Sequence, residues 1–262
     1  MNVLAKANAD KLLKNLYIDS PDKLDLESIA GIDNLFIEER NLAGKEGELV
    51  LKDGLGVISI DSKIAEPGQK RFTIAHELGH YYNEAVPGFR NGQSDFYFSC
   101  SGEDIRSIYN KNINEVNAND FAAELLMPEE WFKKFTTGKK FDKKLLSETA
   151  GYFSTSLSAT ALRYAEAGNH PTAVIMSKDG MVKWRKINSY FPFQFIRPGS
   201  EVSSLSYSFE FYKDKPIPDE PELILSDAWF AEDFKYKKDY FLFEQNIPMY
   251  KYNAVLTILW DK

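Results

Sequence analysis

His76, Glu77 and His80 form a His-Glu-x-x-His pattern within residues 71–82. Residues four apart on a helix lie one above the other on the same face. On a helix, His76 and His80 therefore aim two imidazoles at one point, where a Zn²⁺ would sit about 2 Å from each. Glu77 is one residue round from His76. It can reach a water at that point but is turned away from ligation, which is the place of a general base in metal-assisted hydrolysis. An isolated helical histidine is ordinarily a core or surface residue. Here only three histidines exist in 262 residues, and two of them fall in this pattern with the glutamate in place. The expected cofactor is one Zn²⁺ per chain.

A catalytic zinc usually takes three protein ligands. His170 is the remaining histidine, but it lies at an expected domain boundary. Glu115 is the better third ligand, on a helix expected over residues 113–127. Asn119 follows one turn later on the same face, placed to bond the outer ring nitrogen of a ligand histidine. Ala122 and Ala123 are small enough to let this helix lie close to Gly79. Glu124 is about half a turn round from Glu115 and should point elsewhere. Asn112-x-x-Glu115 is also spaced like a capping box, so helix capping is the alternative role for Glu115. Glu84 and Asp95 are the fallback ligands. A developing oxyanion needs a second electrophile, for which Tyr81, Tyr82, Tyr152, Tyr164 and His170 all qualify. The one cysteine, Cys100, reads first as an ordinary free thiol, and second as a thiolate that touches the metal or senses oxidation.

These residues need elements to hold them. Apolar periodicity predicts helices over residues 5–16 and 21–30. Short, partly alternating segments at 34–39, 48–52 and 56–61 predict a small, mostly antiparallel sheet. Val57, Ile58, Ser59 and Ile60 form the most strand-like run, expected to be an edge strand along which an extended substrate pairs. Residues 86–108 read as a long loop or two weak strands. Helices are expected at 113–127, 129–135, 142–153 and 156–167. The last pair resembles a helix-turn-helix but lacks a basic face, so a core hairpin is the expectation. After residue 170 the texture becomes aromatic and β-prone, at 172–176, 181–186, 205–212, 240–244 and 254–260. The expected organisation is α+β: a metallopeptidase domain over 1–170 and a smaller β-rich α+β region over 171–262, with a regulatory or substrate-docking role.

Composition narrows the classes. A hydrophobic fraction of 44% is enough for a sizeable core. The net charge of −7 argues against a free-standing nucleic-acid surface. A single cysteine fits a reducing compartment. No apolar run is long enough for a membrane span, and no signal-peptide core is visible, so a cytoplasmic location without membrane partners is expected.

The segments Arg71-Phe-Thr-Ile-Ala-His-Glu-Leu-Gly-His80 and Ala118-Asn-Asp-Phe-Ala-Ala-Glu-Leu-Leu-Met-Pro128, in this order and spacing, resemble the ImmA/IrrE family of zinc metallopeptidases. Residues 157–164 look like that family's following helix, and the resemblance covers about residues 4–167. It implies a zincin-like fold, with an active-site helix packed on a small sheet, and a glutamate ligand just ahead of Ala118-Asn119. The family often has Glu-x-Glu before Ala-Asn. Asn117 stands in the second place here, which leaves Glu115 as the matching acid. The resemblance also implies site-specific cleavage of a helix-turn-helix repressor, derepressing stress or mobile-element genes. The family's own helix-turn-helix-like segment maps to residues 142–167. The GAF-like sensor of its stress-related member has no counterpart in 171–262. The alternative function is a toxin–antitoxin or phage-linked regulatory protein whose zincin fold mainly binds a protein partner.

Overall fold

The computed structural model describes residues 2–101, 112–234 and 239–261. The protein is α+β, with a four-stranded and a five-stranded sheet among the described residues. It packs as two compact units: Met1–Phe132 with Ala150–Ser156, and Lys133–Thr149 with Leu157–Lys262.

The first unit opens with helix α1 (Val3–Asn15), whose Asn2 cap accepts from the Leu4 N–H. The expected helix at 21–30 is two pieces, a 3₁₀ turn at Pro21–Lys23 and helix α2 (Leu26–Ile32). Asp25 separates them, because its extended backbone and carboxylate start α2 afresh. Strands β1 (Leu35–Arg40), β2 (Lys45–Lys52), β3 (Leu55–Asp61) and β4 (Phe96–Ser101) follow. Their order in the sheet is β1-β3-β2-β4, with β1 parallel to β3 and the other pairs antiparallel.

This order corrects one expectation. Val57, Ile58, Ser59 and Ile60 are not an edge strand, because β3 is bonded to β1 on one side and β2 on the other. Ile58, Ser59 and Ile60 are buried in succession, as in an internal strand covered on both faces. Among the described residues the outer strands are β1 and β4. β4 lies inside the stretch read as a loop or weak strands, together with helix α4 (Val86–Arg90). Residues 102–108 of that stretch lie outside the described residues.

Helix α3 (Pro67–His80) begins where Glu66 accepts from the Gly68 and Gln69 N–H groups, with Pro67 at the first helical position. A π-helical turn, Tyr81–Ala85, extends it into α4. Helix α5 (Ile113–Leu126) is capped by Asn112, which accepts from the Asn114 N–H. α3 and α5 lie in very close contact. A Cβ on Gly79 would come 2.8 Å from the Cα of Ala118, so Ala118, one turn before the expected Ala122, is the close neighbour. Phe121 is fully buried and stacks on Tyr82 at 5.6 Å. Such a side chain contributes about 1.5–3 kcal/mol by leaving water. Glu124 points away from Glu115's partners, as expected. It accepts from the Glu129 N–H at 2.9 Å, at the start of helix α6 (Glu129–Thr136).

In the second unit, helix α8 (Leu157–Ala167) follows α7 (Lys143–Phe153), which straddles the two units. Tyr164 is fully buried beside Phe141, and Phe141 also packs on Trp260. These aromatic contacts group α8 with the β-rich unit, so the chain divides earlier than residue 170. Arg163 is buried and paired with Glu166 at 3.5 Å, which fits a core helix rather than a basic reading face. The sheet order is β6 (Met181–Ile187), β5 (Thr172–Lys178), β9 (Ala254–Asp261), β8 (Phe241–Met249), β7 (Glu222–Leu225), all antiparallel. The β5–β6 turn is Asp179-Gly180, with φ of +53° and +74°, the left-handed pair that a two-residue hairpin requires. Residues 205–212 are not a strand. Ser206 caps a short helix, α9 (Tyr207–Phe211), by accepting from the Ser208 N–H. Local hydrogen bonding overrides the aromatic β preference there. A second short helix, α10 (Asp227–Phe230), follows β7. Phe191, Phe193, Trp229, Phe230 and Leu242 form the core of this unit.

Among the described residues, no helix is long and apolar enough to cross a membrane.

Candidate metal centre

α3 carries His76, Glu77 and His80, and all three are fully buried. Helical spacing stacks the two imidazoles as expected, and their Nε2 atoms lie 3.1 Å apart. The outer nitrogens are both engaged. His76 Nδ1 lies 2.9 Å from the Asn119 amide oxygen, and His80 Nδ1 lies 3.0 Å from the Glu84 carboxylate. Asn119 is thus on the ring nitrogen assigned to it. Glu84 takes the matching place on His80 rather than a ligand position. Its signal was in the sequence: it is four residues beyond His80 and so one turn along the same face.

Both acceptors call for N–H at Nδ1, which leaves a lone pair on each Nε2. Two lone pairs facing each other at hydrogen-bond distance repel unless a proton or a cation lies between them. Glu115 adds negative charge at the same point. Its Oε2 is 3.2 Å from His76 Nε2 and its Oε1 is 3.5 Å from His80 Nε2. The Cys100 Sγ lies 3.2 Å from the first imidazole nitrogen and 3.3 Å from the second. One ligand atom from each of His76, His80, Cys100 and Glu115 falls within 4.8 Å of all the others. Donors about 2.0–2.3 Å from a tetrahedral centre are roughly 3.3–3.8 Å apart, and the separations of Glu115 and Cys100 from the two imidazole nitrogens, 3.2–3.5 Å, are close to that, so these residues suit a zinc-sized ion.

The electrostatics agree with that fit. Burial works against charge on His80, but the carboxylates of Glu115 and Glu84 outweigh it and raise its pKa to about 9. Burial also opposes ionisation of Glu115, and the two imidazoles more than offset it, holding the carboxyl well below its usual range. Burial, reinforced by the carboxylates of Glu77 and Glu115, pushes the Cys100 thiol far up. Each shift is one that a divalent cation would reverse or exploit.

Glu77 has a different surrounding. Neither of its carboxylate oxygens makes a hydrogen bond of good geometry, although the Cys100 thiol is close enough to help hold its charge. Burial pushes its carboxyl up, and the adjacent imidazoles oppose this only in part. A buried carboxylate is normally paired, so two orphaned oxygens beside a cluster of metal-ligating atoms suit a proton acceptor. The room for Glu77 comes from β2. A Cβ on Gly47 would lie 2.3 Å from Glu77 Oε1. Gly47 pairs with Cys100 across the β2–β4 ladder, next to a bulge after Lys45. Glycine at a bulge, opposite the cysteine strand, is a residue that sequence reading passed over.

Cys100 reaches the cluster through strand alternation. Phe96, Phe98 and Cys100 share one face of β4, and the Phe98 ring stacks on His80 at 4.8 Å. The other named residues lie elsewhere. The Tyr82 hydroxyl donates to Asp33. Tyr81 packs its ring on Tyr82 and Phe89. Tyr152 is exposed and packs on Phe153. Tyr164 shares a hydrogen bond with Thr149 in the second unit, where His170 Nε2 bonds the Lys139 carbonyl.

Comparison with known proteins bears on this centre. A sequence-family model described as the IrrE N-terminal-like domain, of peptidase family M78, matches residues 34–164. That span contains α3, β4 and α5, hence every residue of the cluster. No curated protein matches the chain. Among solved structures, a Mycobacterium tuberculosis transcriptional regulator matches with a TM-score of 0.63 and 13% identity, over 99% of this chain and 76% of that one. At that identity the likeness is one of fold. With half of its length matched by the family model, the chain belongs to the IrrE N-terminal-like family of metallopeptidases, peptidase family M78.

Proposed function

We propose that the chain is a zinc-dependent, site-specific endopeptidase of the cytoplasm, holding one Zn²⁺, and that its substrate is a helix-turn-helix transcriptional repressor. The observation that carries this reading is the convergence of His76, His80 and Glu115 next to the orphaned, buried carboxylate of Glu77. When bound, a zinc ion supplies Lewis acidity to water and to a scissile carbonyl. Glu77 accepts the water proton and passes it to the leaving nitrogen. Its raised pKa suits both halves of that transfer. Asn119 and Glu84 fix the tautomers of the two imidazoles so that both present Nε2.

Substrate lies extended along β4, the outer strand that carries Phe98 and Cys100 to the cluster. Main-chain pairing gives affinity there, and side-chain pockets give selectivity. The region 171–262 docks the folded repressor, which presents one loop for cleavage. The fold shared with a transcriptional regulator supports a regulatory setting.

The test is incubation of the purified chain with a repressor encoded beside its gene, with casein as control. Wild type cuts the repressor at one site and leaves casein intact, while Glu77→Gln binds the repressor without cutting it. Rapid casein digestion would overturn the selectivity. Repressor cleavage by Glu77→Gln would overturn the assignment of the base.

A further inference from the structure

We infer that Cys100 is a fourth metal donor, so that the resting centre is closed by His76, His80, Glu115 and the Cys100 thiolate together. This rests on the reading of the cluster as a zinc site and concerns how that site is held inactive.

Three independent features point to it. The first is geometry. Sγ is nearly equidistant from the two Nε2 atoms, at 3.2 and 3.3 Å, as near to them as the two Glu115 oxygens are, with Oε2 3.2 Å from the first and Oε1 3.5 Å from the second. The thiol completes a four-cornered donor set instead of lying to one side of a three-cornered one. The second is the partner set. Both imidazoles engage Nδ1 outward, so Sγ and the Glu115 carboxylate meet the same two remaining ring nitrogens, the ones that would ligate a metal. The third is Glu77, fully buried against Gly47, whose ladder partner is Cys100, with the Cys100 thiol close enough to help hold the Glu77 charge, so the sulfur sits between the base and the ligand atoms.

Closed four-coordinate sites with a cysteine ligand are the structural type of zinc centre, and hydrolytic sites keep one position open. Sγ holds the position that a hydrolytic water requires. The resting chain is therefore latent until Sγ withdraws, and in the cleavage assay docking of the repressor has to trigger that withdrawal. The sulfur is fully buried, which shields it from soluble oxidants, so withdrawal is a movement of the side chain or of β4. Among the described residues β4 is the outer strand of its sheet, bonded on one side to β2. An element at the edge can shift without breaking a ladder on its far side.

The test replaces zinc with Co²⁺ in the full chain. Cys100 is the only cysteine, so any sulfur-to-cobalt charge-transfer band must come from it. Wild type is expected to show that band in the near ultraviolet, and Cys100→Ser is expected to lose it. Acetohydroxamate, a small chelating probe of an open position, should perturb the visible cobalt spectrum of Cys100→Ala and leave wild type unchanged. Competition with a chromogenic chelator should show zinc held at least about tenfold less tightly by Cys100→Ala, as loss of a donor implies. The wild-type spectrum decides the matter even if the variants fold poorly. Cobalt bound at one per chain without the sulfur band overturns the closure and leaves the metal centre standing. A wild-type spectrum that responds to acetohydroxamate also overturns it. Failure of wild type to take up cobalt overturns both readings.

Discussion

At the residue scale the centre assigns each side chain a separable task. Glu77 is not one of the clustered ligand residues, so Glu77→Gln should keep the metal and lower kcat by about 10²–10⁴-fold. Gly47→Ala should act on the same step from β2. The new Cβ would meet Glu77 Oε1 at 2.3 Å and displace the carboxylate, so kcat falls while metal content, measured by mass spectrometry, stays near wild type. Residues behind the histidines should show the opposite pattern. Asn119→Ala and Glu84→Ala each remove the acceptor that fixes an imidazole, which should weaken zinc binding about 10–100-fold in chelator competition. If both variants bind zinc as tightly as wild type, the tautomer argument fails.

At the element scale the centre depends on how closely α3 and α5 approach. Gly79→Ala would place a methyl 2.8 Å from the Ala118 Cα and 2.9 Å from its carbonyl oxygen, both backbone atoms that cannot swing aside. Separating the helices should cost about 1–3 kcal/mol in denaturant unfolding and draw Glu115 away from the histidines. Much of this was legible in advance. The helices of the metal site announce themselves by caps and apolar period, and the His-Glu-x-x-His spacing alone places two imidazoles together. Asn119 followed from being one turn beyond Glu115. Three features were not legible for physical reasons. Strand order is set by pairing between distant segments, so nothing local in 57–60 distinguishes an internal from an outer strand. Cys100 was read first as an ordinary thiol and second as touching the metal, and nothing local chooses between them, because it sits in a short strand whose face is decided by its register with β2. Residues 205–212 carry aromatic β propensity, and a single serine cap overrides it.

At the scale of the whole molecule, a bound ion ties α3, α5 and β4 into one unit, so removing it should loosen that unit. A ligand present at 100 times its Kd stabilises the folded state by about 2.7 kcal/mol. Chelation should therefore lower Tm by several degrees, and one equivalent of zinc should restore it. A Tm unmoved by chelation would mean that the cluster contributes nothing to the fold through a metal. The selectivity we propose belongs to this scale as well. Binding energy from a docked repressor, remote from the scissile bond, would position one loop at the centre. That is how a peptidase with an ordinary base and metal can spare other proteins of its compartment.

The most direct measurement of the central claim is the metal content of the purified chain beside three variants. Wild type should carry about one zinc per chain. His76→Ala and His80→Ala should carry almost none, and Glu115→Ala should lose most of it at limiting zinc. Wild-type protein without zinc, or Glu115→Ala with full occupancy and only a less stable α5, would contradict the account.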